Sequence, residues 1–539
     1  MEGLPLQPVT SGPECPVHPR HCGSTNRIPA HQQLGFSGGD VGSAGVETPQ
    51  SPTNRGRSSG GWPEWIAFAI VILGIVGFAL SSPRFAAPDE AAHQATAWYT
   101  TANGMPVRAE TQTPVPRIFA DGACYAFDGK QDASCVPPRQ TGWPESVRVL
   151  NYPPPYYWVV GIGQQVAKAV SSEIWLDMGG RAASFLLNTG ALLLLALLLR
   201  RHYRNWGTYL LLVSTPMAAF LWATVNPSGW EISAGLLFAY FFARAWWDND
   251  DASTTGSPTR WLPLVGIAVT SLLFASARHS AMVWMAGVIV AVVMTGRSLL
   301  PRTRQWWLLL ATTPGFLAGI IWQLTHPAVH EIRNPDRIDD PQPLDFAHYF
   351  LQIEEVLPDR LRQMVGVLGW MDTPVPQFMF FLVLIGWAAF IGFLFARTRV
   401  PVLFLVVGFL GTFLVPTVLE MLRWNDWPYW YQGRITLPFL IPFLLVLLMK
   451  YANKGRRAAA ALSLVMGFVL TFMVWQNLMR YSFGIWDYIP ERWSDPAIST
   501  QAFWLTYLCI ALMLLGLIWR TVLVVRDKGS TARTSGVDA

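Results

Sequence analysis

The residues best suited to chemistry are Asp89, Glu90 and His93, in a stretch that opens at Pro88 just past the first long apolar run. Asp89 and His93 are spaced i, i+4, so on a helix they share a face. Two carboxylates and an imidazole could supply a general base, with Asp89 and Glu90 as the catalytic pair. The same three could hold a divalent ion such as Mg or Mn. A plainer role is also open, because a proline followed by acids is a good helix start. Cations form a second group: Arg278 and His279 in a short turn between apolar runs, and Arg434 following Gln432 and Gly433. A guanidinium donates hydrogen bonds in pairs and suits phosphate, which makes Arg278, His279 and Arg434 candidate phosphate ligands. Tyr152 and Tyr156, set among prolines 153–155, join Asn226, Glu231, Gln432 and His93 as candidate pocket residues. Taken singly, such aromatics also serve as interface anchors, and end-of-helix charges also snorkel.

Composition says what must position them. The chain has 539 residues, of which 52% are hydrophobic and only 14% charged, against about 25% charged in a soluble protein. This excludes a soluble enzyme, a disulfide mini-domain, a coiled coil and a disordered chain. The apolar runs are continuous rather than alternating, which argues against an outer-membrane barrel. The net charge of +5 is divided between two sides of a membrane and is no sign of nucleic acid.

The expected fold is an all-α polytopic membrane protein with about twelve transmembrane helices. They are expected near 65–82, 181–199, 206–224, 229–247, 261–277, 280–296, 306–323, 376–396, 400–420, 434–450, 458–476 and 501–519. The short loops on one side are almost purely basic, which makes that side cytoplasmic and puts both termini there. Large extracytoplasmic loops then fall at 83–180 and 324–375, inside a transmembrane domain of 62–520. Tails of 1–61 and 521–539 are cytoplasmic, the first rich in Gly, Pro and Ser and expected to be disordered. Within it Cys15, His18, His21 and Cys22 are too closely interleaved with proline for easy tetrahedral closure. Cys124 and Cys135 lie in the first outer loop, where an oxidising exterior favours a disulfide. Residues 156–170 read as a helix along the outer interface, and 345–370 as an amphipathic helix.

Several motifs in order, namely Pro88, Asp89, Glu90 and His93, the 152–157 run, Asn226 with Glu231, Arg278 with His279, and Gln432 with Arg434, resemble the bacterial membrane family of unknown function DUF2142. That family is similar to the GT-C class of membrane glycosyltransferases. The resemblance implies a polyprenyl-phosphate sugar donor, an envelope glycan or lipid acceptor, and an acidic pair, here Asp89 and Glu90, acting on the outer face of the cytoplasmic membrane. One-step displacement would invert the anomeric carbon. Two other classes compete: a transporter of lipid-linked glycan or a small molecule, and a non-catalytic scaffold for envelope assembly.

Overall fold

The computed structural model describes residues 61–108, 110–120, 123–140, 142, 145–247, 261–296, 302–326, 346–422, 431–484 and 496–534. The N-terminal stretch with Cys15, His18, His21 and Cys22 lies outside the described residues. Among the described residues the elements run α1 (Trp62–Ser81), α2 (Glu90–Asn103), β1 (Thr111–Val115), β2 (Glu145–Val149), α3 (Pro154–Val170), α4 (Leu176–Leu199), α5 (Trp206–Val213), α6 (Pro216–Ala223) and α7 (Pro227–Trp247). Then follow α8 (Leu262–Ala275), α9 (Ala281–Met294), α10 (Arg302–Leu310), α11 (Thr313–Thr325), α12 (Phe346–Gly366), β3 (Val367–Leu368), β4 (Thr373–Pro374), α13 (Gln377–Arg397), α14 (Val402–Phe409) and α15 (Val415–Leu422). The chain ends with α16 (Leu437–Tyr451), α17 (Arg456–Phe483) and α18 (Thr500–Thr534).

The protein is a mostly helical polytopic membrane protein, not an all-α one. Two short antiparallel pairs interrupt the helices, β1 with β2 (Thr111 opposite Val149) and β3 with β4 (Val367 opposite Pro374). At two to five residues each they are too short to stand out among long apolar runs.

The number of spans also differs from twelve. Among the described residues seven helices are long and apolar enough to cross a membrane, or eight if a bent pair counts as one. The difference has local causes. α5 and α6 meet at 87°, because Pro216 has no N–H to continue the ladder and Thr215 accepts from the Ala218 N–H to start a new helix. α7 carries Glu231 and Arg244, which lower its hydropathy. α8 and α9 have 14 residues each, short of the roughly 20 that a span needs. α16 and α17 follow each other through a tight turn, so 433–483 counts as one stretch of 51 residues.

α1 sets the frame. It is apolar on all sides, begins with Pro63 in its first turn, and packs against α5, α17 and α18. Its 20 residues rise about 30 Å. At its start Glu64 accepts from the Thr208 N–H at 2.7 Å, and Arg520 of α18 donates to the Thr208 hydroxyl at 2.7 Å, which ties α1, α5 and α18 together. At its other end the chain enters the segment that carries Asp89.

Candidate active site

Between α1 and α2 the backbone carbonyls of residues 82–88 are held one after another. Arg181 of α4 donates to those of Ser82 and Pro83. Tyr125 donates to Arg84, Trp370 to Phe85 and Tyr481 to Ala86. The Ala87 carbonyl takes the Glu90 N–H, and Asn226 Nδ2 reaches the Pro88 carbonyl at 3.5 Å. A buried carbonyl needs a donor, and here six residues, on helices and on loops, supply them. At the end of this segment Asp89 has φ 60°, the left-handed region, which Asp tolerates better than most side chains. It occupies the N-cap of α2 yet makes no cap hydrogen bond. Its half-buried carboxylate lies within electrostatic reach of Arg148 and Arg434.

Glu90 is placed differently. It is fully buried, and its two oxygens accept from Arg181 Nε at 2.7 Å, Arg181 Nη2 at 2.6 Å, the Val225 N–H at 3.1 Å and the Ala87 N–H at 3.2 Å. A carboxylate with four donors around it is poorly placed to take a proton. Sequence reasoning pairs Glu90 with Asp89 as a second acid, whereas this geometry makes it the anchor of the loop. Removing one partner of a buried pair costs about 3–5 kcal/mol. Arg181→Leu is therefore expected to lower the thermal midpoint of the purified protein sharply, with Glu90→Gln less severe. A midpoint unchanged by both would contradict the anchoring role.

His93 lies one turn into α2 and is buried. Its Nδ1 bonds the Tyr157 hydroxyl at 2.9 Å, and its ring lies 6.0 Å from that of Tyr152. Burial, then the charges of Arg278, Arg434 and Arg148, hold its pKa well below the usual value of 6.5. Three guanidinium groups thus converge on one imidazole, which stays neutral at pH 7. The linkage has a definite sign. Above pH 6.5 both folded and unfolded chains carry a neutral His93. As the pH falls below that, the unfolded chain takes up a proton that the folded site refuses, and stability declines. His93→Asn should reduce the fall in thermal midpoint between about pH 6.5 and 5; an unaltered pH profile would show that His93 is not the group responsible.

The cations lie within electrostatic reach of this ring. Arg278, in the turn between α8 and α9, donates to the Ser228 hydroxyl at 2.7 Å and the Tyr152 hydroxyl at 3.1 Å, and its guanidinium lies 5.4 Å from the Tyr152 ring centre. These partners are neutral; the acid nearby is Glu231, which bonds Ser280 and leaves Oε1 without a donor. Arg434 enters from the turn before α16. It is buried, and among the described residues its Nη1 has no acceptor. Beside it, among the described residues, Gln432 Oε1 has no donor. The turn can sit here because residue 433 is glycine: a Cβ would come within 1.9 Å of the Arg360 carbonyl oxygen.

The remaining expected residues divide. Tyr152 faces the cluster. Asn226 caps α7 by accepting from the Ser228 N–H at 2.9 Å. Tyr156 lies behind the site, its hydroxyl 2.9 Å from Ser184 Oγ. The His279 ring lies 5.4 Å from that of Tyr152, tilted by 56°, and its Nε2 accepts from Trp322 Nε1 at 3.2 Å. The expected metal set of Asp89, Glu90 and His93 is not brought together. Glu90 is engaged by Arg181, His93 Nδ1 by Tyr157, and among the described residues no three acids, histidines or cysteines gather to hold an ion. Cys124 and Cys135 are joined by a disulfide, with Cα atoms 6.1 Å apart. Two contributors were not foreseen. Tyr157 was visible only as one aromatic among several. Arg148 sits on β2 and is gripped by Glu110 through Nε at 3.1 Å and Nη2 at 2.6 Å; the alternation of that short strand was its only signal.

The chain belongs to the family described as Predicted membrane protein (DUF2142), whose model matches residues 72–442. No curated protein matches it. Among solved structures it is similar to ArnT from Cupriavidus metallidurans bound to undecaprenyl phosphate, with 14% identity, a TM-score of 0.37, and coverage of 85% of this chain and 78% of that one. The apo state of the same protein gives 14% identity and a TM-score of 0.37, covering 84% of this chain and 76% of that one.

Proposed function

We propose that the protein is a membrane glycosyltransferase that takes a sugar from a polyprenyl-phosphate donor and passes it to an extracytoplasmic envelope glycan or lipid. The observation that carries this reading is the buried Arg434 guanidinium, whose Nη1 has no acceptor among the described residues, within electrostatic reach of Arg278 and Asp89. A buried cation with an unfilled donor is costly, and a second guanidinium, that of Arg278, lies within electrostatic reach of it; together they suit an anion with several oxygens. A phosphate on a lipid tail brings such an anion to the end of a span. Glu231 Oε1 and Gln432 Oε1, both lacking donors among the described residues, suit the hydroxyls of a sugar attached to it.

The chemistry follows. Asp89 accepts the proton of the acceptor hydroxyl as that oxygen attacks the anomeric carbon. The bond from that carbon to the phosphate oxygen breaks, and the charge that develops on the phosphate is met by Arg278 and Arg434. One displacement inverts the anomeric centre. Neutral His93 and Tyr157 wall the site without adding charge. A carrier of lipid-linked glycan would place its groups near the midplane, whereas this cluster stands at the end of α1. The test is transfer in proteoliposomes. Wild type given a polyprenyl-phosphate sugar and an outer acceptor should release free polyprenyl phosphate with stoichiometric glycosylation. Movement of intact donor across the bilayer without cleavage would replace this reading with the carrier.

A further inference from the structure

Asp89 owes its position to a part of the chain far from it in sequence. Arg480, in the last turn of α17, is fully buried and points into the first outer loop. It donates to the carbonyls of Gln131, of Tyr125 at 3.0 Å and of Asp128 at 2.7 Å, and to Asp372 Oδ2 at 3.2 Å. All three carbonyls lie between Cys124 and Cys135, the residues joined by the disulfide. Gly484 lets the same loop approach closely: its φ is +84°, and a Cβ there would meet the Lys130 carbonyl oxygen at 2.3 Å.

The gripped loop in turn holds the segment before Asp89. Tyr125 donates to the Arg84 carbonyl, and Arg84 Nη2 donates to the Pro137 carbonyl. Phe127 packs edge-on against Trp370 at 5.4 Å, and Trp370 Nε1 donates to the Phe85 carbonyl at 2.9 Å. Tyr481, next to Arg480, packs against Tyr125 at 5.1 Å and donates to the Ala86 carbonyl. Three successive carbonyls, 84–86, are thus held by the disulfide loop or by what packs on it. Arg181 reaches the carbonyls of Ser82 and Pro83 and, beyond the 84–86 stretch, the Glu90 carboxylate.

We infer that Arg480 and the Cys124–Cys135 loop form a positioning device for Asp89, so that opening the disulfide loosens residues 84–93 while the cation cluster stays in place. The inference rests on the proposed role of Asp89 for its functional meaning, though its structural content is separable. Arg278 and Arg434 stand on other elements and need no part of this loop. A closed loop has fewer conformations to lose when Arg480 grips it.

The experiment is hydrogen–deuterium exchange on the full chain in nanodiscs, oxidised and after treatment with a water-soluble phosphine. Cys124 is exposed and open to the reagent. The phosphine gains oxygen from water to become phosphine oxide, while the S–S bond accepts two electrons and two protons to give two thiols. Exchange in the 84–93 peptide should rise by about tenfold, with protection in α1 and α7 unchanged and the affinity for undecaprenyl phosphate retained. Tyr125→Phe, which leaves the disulfide intact, should raise the same peptide by a smaller factor. Unchanged exchange at 84–93 with both thiols detected overturns the inference. So does a rise throughout the protein, which marks a general structural role. Failure of the oxidised wild type to bind undecaprenyl phosphate counts against the proposed donor alone, and the exchange result stands apart from it.

Discussion

Asp89→Asn is expected to lower sugar transfer by roughly 10²–10⁴-fold, the usual worth of a positioned general base, with the donor lipid still bound. Asn matches Asp in shape and tolerates the left-handed backbone found there, at φ 60°. The carboxylate makes no cap hydrogen bond, so the exchange breaks no cap and removes the carboxylate's charge and basicity beside Arg148 and Arg434. Glu90→Gln also lowers activity, but through the fold, because four donors lose their full acceptor. The two variants separate by stability: Asn at 89 keeps the thermal midpoint and Gln at 90 does not. Initial rates at saturating donor, alongside midpoints, check this. An Asp89→Asn enzyme with undiminished turnover removes the base.

The second large effect has two opposite signs. Arg434→Met is expected to cut turnover by about 10²–10³-fold, as for loss of one donor to a developing oxyanion. It should also raise the thermal midpoint of the ligand-free protein. Arg434 is buried with Nη1 lacking an acceptor among the described residues and has the like charge of Arg278 nearby, so an apolar side chain of similar length relieves a desolvation cost. A residue kept for stability would show both falling. A lower midpoint for Arg434→Met, or full activity, contradicts a seat built for an anion.

Much of this site was legible in the sequence as residue types, and much less as roles. The basic short loops and apolar runs announced a polytopic membrane protein, and the ordered motifs announced the family. Asp89, His93, Tyr152, Arg278 and Arg434 do meet, although they lie on α2, on loops and on turns hundreds of residues apart. Adjacency misled in one place. Asp89 and Glu90 read as a pair, but consecutive residues at a helix start point in different directions, and only Glu90 meets Arg181 of α4. Arg148 was hidden because its partner Glu110 is defined by a strand pairing that local patterning barely marks. The span count went astray where apolarity and length part company, as at the Pro216 bend and in the 14-residue α8 and α9. No pattern along the chain could show that Arg480 reads the backbone of a loop some 350 residues earlier.

The most direct test of the account is a structure of the protein with a polyprenyl phosphate bound. The phosphate should lie within hydrogen-bond reach of both Arg278 and Arg434, with the Asp89 carboxylate facing the side from which an acceptor hydroxyl approaches. A phosphate held at another part of the bundle, with Arg434 Nη1 still lacking an acceptor, would contradict it.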